Sequence, residues 1–183
     1  MNFLLLFFSH LVGDFVLQTY DLVKLKKKSL FGIFIHIVIH FSLAYFLLFS
    51  VFRGFETQIL TSVVFVSLMH FFIDKAKIEY EKHRKKRVFS FLFDQFLHII
   101  VIFIASLYLN AFIRPQAERL AEFCIFTSAL IIITQGVEIF KMQKSIETGK
   151  KIKPKDNKKA LKMRVFILIF IFLLYRLFIL LLP

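Results

Sequence analysis

Eight side chains with metal-binding chemistry fall into four pairs at the same spacing. The members of each pair are four residues apart, and the pairs are His10 with Asp14, His36 with His40, His70 with Asp74, and Asp94 with His98. On an α-helix, residues four apart lie on one face, one above the other. Imidazole nitrogens and carboxylate oxygens bind zinc, iron or manganese, with three or four protein ligands per ion. We call these pairs the four clamps.

Each clamp lies in or at the end of an apolar stretch. The chain has 183 residues, a hydrophobic share of 58% and a mean hydropathy of +0.75, whereas ordinary soluble domains are about 45–50% apolar. A helix needs about 20 mostly apolar residues to cross a bilayer. Six stretches approach this length, and they are Phe3–Tyr20, Leu30–Phe52, Ile59–Asp74, Val88–Leu109, Leu120–Phe140 and Val165–Leu182. The predicted fold class is therefore all-α, a multi-pass membrane bundle of about six transmembrane helices.

The bundle is predicted to be a single integral membrane domain over residues 1–183. Residues 1–110 would form a four-helix core that carries the clamps, and residues 111–183 would add two helices with a basic loop at about 141–164. No positive charge precedes the first apolar run and no small-residue cleavage site follows it. We therefore expect this run to be retained as a helix rather than removed as a signal peptide.

The basic residues predict the orientation of the bundle. The chain has a net charge of +13, and almost every Lys and Arg lies in the loops after the first, third and fifth predicted spans; the exceptions are Arg53, Arg114, Arg119 and Arg176. Basic loops stay in the cytoplasm, so we expect a multi-pass protein of the cytoplasmic membrane with both termini outside. These runs lack the interleaved aromatic residues of nucleic-acid-binding surfaces, so the expected partners are membrane lipids and not nucleic acid.

The same topology puts all four clamps in the cytoplasmic half of the bilayer, at overlapping depths when counted at 1.5 Å per residue. An ionisable side chain in a bilayer costs about 2.5–3.5 kcal/mol on insertion scales and is a functional-site hypothesis by default. A single such histidine can instead be a hydrogen-bond partner between helices. Repetition of the pattern in four helices favours a site for one or two divalent metal ions, with zinc favoured over manganese or iron.

Other polar residues near the clamps are candidates for supporting roles. Gln18 lies one turn beyond Asp14 and Gln95 directly follows Asp94, so both are expected to orient a ligand or hold a substrate. Lys77 follows the third clamp and would bind an anionic group or mark the membrane interface. Gln135 and Glu138 would either add a ligand or a base, or be solvated at a helix end.

These motifs resemble a bacterial integral-membrane family known only as domain of unknown function 3307. The resemblance rests on His10–Gln18 (HLVGDFVLQ), a lysine-rich turn and a histidine early in the second span, for which His36 and His40 are both candidates. It continues with His70–Lys77 (HFFIDKAK) and Asp94–His98 (DQFLH), and so covers roughly residues 1–100. A looser similarity is to membrane-bound metal-dependent hydrolases, which also set His and Asp motifs in short transmembrane helices.

The sequence favours a metal-dependent hydrolase that acts at the cytoplasmic leaflet on an amphipathic or lipid-linked substrate, such as a phospholipid or a lipid-linked phosphate. A bound divalent ion lowers the pKa of a water molecule toward about 7. In this hypothesis Asp74 is the general base and Lys77 holds an anionic headgroup.

A divalent-metal transporter and a metal-stapled structural protein are the alternative hypotheses. Transport requires that an ion leave its site as well as enter it. Eight candidate ligands would bind a permeating ion too tightly for easy release, which argues against the transporter. Haem held between two histidines would leave three aspartates without a role. An oxidative di-iron reaction uses the same ligand types as hydrolysis, so ligand spacing does not separate the two.

Overall fold

The computed structural model describes residues 1–84, 86–113 and 118–149 together with Phe166, without the side chains of Glu118 and Arg119. The predicted sixth span, Val165–Leu182, lies outside the described residues apart from Phe166, as does most of the predicted basic loop at 141–164. The described part of the chain is helical and contains no strand. This confirms the all-α prediction.

Seven α-helices and two π-helical segments follow one another in the described ranges. The α-helices are α1 (Asn2–Leu11), α2 (Tyr20–Lys28), α3 (Leu30–Val51), α4 (Glu56–His83), α5 (Arg87–Phe112), α6 (Glu118–Ile131) and α7 (Val137–Glu147). The π-helical segment Val12–Leu17 continues α1, and the segment Ile132–Gly136 joins α6 to α7.

Four continuous helices are long and apolar enough to cross a membrane, and they are Leu30–Val51, Glu56–His83, Arg87–Phe112 and Leu120–Glu147. A fifth span results if Asn2–Leu17 and Tyr20–Lys28, which are bent by 95° relative to each other, are counted as one. Large apolar side chains such as Phe46 and Phe103 are exposed on the outside of the bundle. Together these features indicate a membrane protein.

The lysine-rich segment after the first span is a helix, so the predicted loop at this position is wrong. The backbone at Gln18 is extended, and Thr19 then caps α2 by accepting a hydrogen bond from Leu22 N at 3.2 Å. Ser29 caps α3 in the same way, accepting from Gly32 N at 3.2 Å. Because Ser and Thr satisfy the free N–H groups at a helix start, these two residues delimit a short helix that is bent by 95° from the preceding one.

Two helices continue past the ends that hydropathy predicts for them. The sequence predicts ends at Asp74 and Phe140, whereas α4 continues to His83 and α7 continues to Glu147. Half of the residues beyond the apolar stretches are Lys or Glu, which are good helix formers when solvated. The first part of the second basic segment, Lys75 to Lys82, and the start of the third are therefore helix ends rather than loops.

One end of the bundle has an apolar core that fixes the clamp helices relative to one another. Its fully buried side chains include Leu5 on α1, Leu48 on α3, Ile59 on α4 and Leu109 on α5. At the same end, Asn2 Nδ2 donates a hydrogen bond to Asn110 Oδ1 at 2.9 Å. Since the clamps lie further along the same helices, this core positions them to meet near the opposite end.

Candidate metal centre

All eight predicted ligands lie in one cluster between α1, its π-helical extension, α3, α4 and α5. Five imidazole rings pack together, with centroid separations of 4.0 Å for His70 and His98, 4.1 Å for His40 and His70, and 4.8 Å for His10 and His98. Seven of the eight side chains are buried, and that of Asp14 is 10% exposed. The structure therefore brings all four clamps together.

Asp14 lies at the centre of this cluster. Its Oδ1 is 3.0 Å from His36 Nε2, 3.2 Å from His40 Nε2 and 3.8 Å from His70 Nε2. The Nε2 atoms of His36 and His70 are 3.1 Å apart. Four ligands at about 2.1 Å from a tetrahedral ion lie about 3.4 Å from one another. The three imidazoles and one carboxylate therefore have the donor types and the separations that a tetrahedral cation site requires.

The second oxygen of Asp14 faces a different group of side chains. Asp14 Oδ2 lies 3.7 Å from His10 Nε2, and His98 Nε2 lies 3.5 Å from Asp94 Oδ1. Ligand atoms of Asp14, Asp94 and His98 all lie within 4.8 Å of one another, as do those of His10, His70 and His98. Each of these sets can hold a metal ion.

Two lysines neutralise the other carboxylates of the cluster. Lys26 Nζ lies 2.6 Å from Asp74 Oδ2, and Lys77 Nζ lies 2.7 Å from Asp94 Oδ2. Within the described ranges, the ion pairs of Asp14 are with histidines and not with Lys or Arg. With neutral imidazoles, three carboxylates and two ammonium groups leave one net negative charge. A buried negative charge is costly unless it is paired, so the cluster favours a cation at Asp14.

Two glutamines contact the candidate ligands directly. Gln95 Nε2 donates hydrogen bonds to Asp14 Oδ2 at 3.2 Å and to Asp94 Oδ2 at 3.1 Å. Gln18 Nε2 lies 3.5 Å from Asp14 Oδ1 and 3.3 Å from His36 Nε2. Both glutamines are placed where they can fix the orientation of a ligand, as the outer-shell partners of metal sites do.

The π-helical segment Val12–Leu17 carries Asp14 into the cluster and also determines how closely α3 approaches. A Cβ atom at Gly13 would lie 2.6 Å from His40 Nε2, so only a glycine leaves room for that imidazole. Short π-helical segments inside longer helices occur frequently at functional sites. The glycine of the HLVGD motif therefore has a steric role beside a candidate ligand.

The remaining predicted residues lie around the cluster. Asp74 Oδ2 is 3.6 Å from the Nε2 atoms of both His36 and His70. Lys77 is partly exposed and contacts Asp94. Gln135 lies in the second π-helical segment and Glu138 lies in α7. Glu138 does not belong to a group of candidate His, Cys, Asp or Glu ligands found in the described part of the chain.

Sequence reasoning missed Lys26 and a second buried ionic cluster beyond it. Glu81, which is buried on α4, accepts hydrogen bonds from Lys27 Nζ at 3.2 Å, from Ser90 Oγ at 3.2 Å and from Arg87. This cluster ties α2, α4 and the start of α5 together. The lysines involved belong to a basic run that predicts topology, and composition does not distinguish a buried lysine from its exposed neighbours.

A family model described as "Protein of unknown function (DUF3307)" matches residues 2–127. The matched residues contain α1 to α5, most of α6 and every member of the four clamps. This match confirms the family resemblance drawn from the clamp motifs. No curated protein and no solved structure matches the chain.

Proposed function

The chain belongs to the family described as "Protein of unknown function (DUF3307)", and from the geometry of its site we propose that it is a membrane-embedded metal-dependent hydrolase. Its proposed substrate is an amphipathic or lipid-linked molecule, such as a phospholipid or a lipid-linked phosphate, at the cytoplasmic leaflet. The observation that carries the proposal is the convergence of His36 Nε2 and His40 Nε2 on Asp14 Oδ1, at 3.0 and 3.2 Å.

The proposed resident ion is divalent, with zinc favoured over manganese or iron. Asp14, His36, His40 and His70 would hold it, because imidazole and carboxylate donors in a tetrahedral arrangement are typical of zinc sites. When bound, such an ion polarises a substrate oxygen and lowers the pKa of water toward about 7. The surrounding protein supplies a buried, preorganised set of donors.

We place this centre in the cytoplasmic half of the membrane, in a bundle of six spans with both termini outside. The exposed lysines of α2 and the basic end of α4 lie beyond the clamps, whereas the apolar core fills the opposite end. Basic residues are retained on the cytoplasmic side. In this orientation α2, bent by 95° from the preceding helix, would lie in the interface at the level of the lipid headgroups.

A row of partly exposed polar side chains supports substrate entry from the interface. Gln18, Asp14, Gln95 and Lys77 are each only partly buried, and hydrogen bonds through Asp94 link the last two. The side chain of Lys77 is 21% exposed, whereas that of Lys26 is 8% exposed. Lys77 is therefore the lysine that we expect to meet an anionic headgroup.

Hydrolysis also needs a group that accepts a proton from the attacking water. Asp74 Oδ2 lies 3.6 Å from two of the candidate ligand nitrogens, those of His36 and His70. A general base must lie within hydrogen-bond reach of the proton that it removes, directly or through one water. We assign this role to Asp74, and we assign Lys26 as a positioning residue that holds its carboxylate at 2.6 Å.

The packing beyond the clamps favours a resident ion over a transported one. One turn further toward the apolar end lie Leu6, Ala44, Val66 and Ile102, all of which belong to or pack against the apolar core. A transported ion would need further weak sites along its route. Transport therefore has less support from the described residues than hydrolysis.

The proposal is tested by measuring turnover. The full-length protein in detergent, mixed with phospholipid or lipid phosphate, should release a hydrolysis product, lose this activity on chelation and regain it with zinc. We expect Lys77→Met to raise KM for an anionic lipid, whereas Lys82→Met, at an exposed lysine on the same helix, should not. No turnover of any ester or phosphate by the metal-loaded protein would contradict the proposal. If the metal only stabilises the fold, clamp variants should instead fail to fold.

A further inference from the structure

We propose that the centre holds two divalent ions and that the carboxylate of Asp14 bridges them. This inference rests on the proposed metal-dependent function and specifies the number of ions and the ligands of each. The two oxygens of Asp14 face different groups, since Oδ1 lies 3.0 Å from His36 Nε2 and Oδ2 lies 3.7 Å from His10 Nε2. A bridging carboxylate uses one oxygen for each ion, and hydrolytic two-metal sites place their ions about 3.5–4 Å apart.

The second ion would be held by His10, Asp94 and His98 together with Asp14 Oδ2. The His98 Nε2 to Asp94 Oδ1 separation is 3.5 Å, and the rings of His10 and His98 are 4.8 Å apart. The His98 to Asp94 separation is again close to the roughly 3.4 Å expected between two ligands of one tetrahedral ion, and His10 Nε2 lies 3.7 Å from Asp14 Oδ2. The first ion keeps His36, His40 and His70, so the two sets share only Asp14.

The atoms of this second set are unsatisfied as they stand. Among the described residues, His10 Nε2, His98 Nε2 and Asp94 Oδ1 are buried side-chain atoms without a hydrogen-bond partner. The three residues are 2–3% exposed. Buried polar atoms are rarely left unpaired, and a neutral imidazole nitrogen and a carboxylate oxygen are both electron-pair donors. One cation would satisfy all three atoms.

The contacts of Asp94 leave one oxygen for this ion. Its Oδ2 accepts hydrogen bonds from Lys77 Nζ at 2.7 Å and from Gln95 Nε2 at 3.1 Å, whereas Oδ1 faces His98. Lys77 and Gln95 therefore hold the carboxylate in the orientation that a second ion needs.

Two divalent ions would also change the charge of the site. The ligand cluster with its two lysines has one net negative charge, so both ions together would make it positive. A positive two-metal site suits an anionic reacting group, and two-metal centres commonly act on phosphate esters. The proposed substrate class is therefore narrowed to a phosphate ester of a lipid.

The test uses the full-length protein in detergent, freed of metal and then loaded with Mn²⁺. We expect two Mn²⁺ per chain by elemental analysis and an electron paramagnetic resonance spectrum of two exchange-coupled ions. His98→Gln should retain one Mn²⁺ and give the spectrum of an isolated ion. The matched control is His83→Gln, because His83 has a side chain that is 74% exposed at the end of α4, and it should match the wild-type protein.

The outcomes separate this inference from the proposed function. A wild-type protein with one uncoupled Mn²⁺ would overturn the two-ion centre and leave a single-ion hydrolase intact. Two bound ions without exchange coupling would overturn the Asp14 bridge. No binding of either Mn²⁺ or Zn²⁺ would overturn both proposals. The wild-type spectrum shows whether two exchange-coupled ions are bound, even if His98→Gln fails to fold.

Discussion

Lys26 Nζ lies 2.6 Å from Asp74 Oδ2, and both side chains are less than a tenth exposed. This ion pair joins α2 to the third clamp on α4. A Cβ atom at Gly32 would lie 2.5 Å from Leu25 O, so the start of α3 also packs directly on the backbone of α2. The short basic helix is therefore part of the framework of the candidate metal centre.

We expect Lys26→Met to destabilise the protein by about 3–5 kcal/mol, because removal of one partner leaves a buried charge without compensation. Lys24→Met, at an exposed position on the same helix, should leave stability nearly unchanged. Unfolding in detergent, followed by circular dichroism, measures both. The double variant Lys26→Met/Asp74→Asn should recover part of the loss. Equal stability of Lys26→Met and Lys24→Met would show that the ion pair does not hold α2 in place.

Gly13→Ala should weaken metal binding while the helices stay folded. Its methyl group would lie 2.6 Å from His40 Nε2 and would displace that imidazole from Asp14. Gly136→Ala is the matched control in the second π-helical segment, since its methyl group would meet Ile132 and Phe15 at 3.7 Å, an ordinary contact. Zinc titration of the two purified variants provides the comparison. Unchanged affinity in Gly13→Ala would argue against His40 as a ligand.

Gln95→Leu should lower metal affinity by about 10–100-fold, the usual effect of removing a group that orients a ligand. The reason is that Gln95 Nε2 donates to carboxylates of two clamps, Asp14 and Asp94. Gln58→Leu, near the start of α4 and away from the centre, serves as the control. Competition with a chelator of known affinity measures the change. If both variants bind zinc like the wild-type protein, Gln95 does not support the site.

The sequence predicted the part of the site that depends on periodicity within single helices. Spacing of four residues and the hydropathy of α3 and α5 were sufficient to select the candidate ligands that the fold brings together and to place them at overlapping depths. The bend after Leu17 and the burial of Lys26 were not predictable in this way. Both depend on contacts between α2, α3 and α4, and a basic run looks the same in the sequence whether or not one of its members is buried.

The ends of the helices were likewise not predictable from hydropathy. Hydropathy predicts an end for α4 at Asp74 because apolar character stops there, yet the helix continues to His83. Helix propensity and the buried contacts of Glu81 with Lys27 and Ser90 stabilise the extra turns. Hydropathy reports the part of a helix that suits a lipid environment, and it does not report where the backbone hydrogen bonds stop.

The proposed orientation predicts opposite accessibility for two engineered cysteines. In a Cys124→Ser background, Arg53→Cys, between α3 and α4, should react in intact cells with a membrane-impermeant maleimide, and Lys28→Cys, at the end of α2, should not. Both positions are exposed on the protein surface, so a difference reports the side of the membrane. Labelling of both variants after cell lysis shows that each engineered cysteine can react with the maleimide. Reaction of Lys28→Cys in intact cells would reverse the orientation.

The central claim is that the clustered clamps hold metal, and the metal content of the protein tests it most directly. The protein should be purified in detergent without chelator, beside a His70→Ala/Asp94→Ala variant whose helical content is checked by circular dichroism. We predict two equivalents of a divalent metal, principally zinc, in the wild-type protein and a loss of that metal in the folded variant. Absence of metal from both proteins, or equal metal in both, would contradict the account.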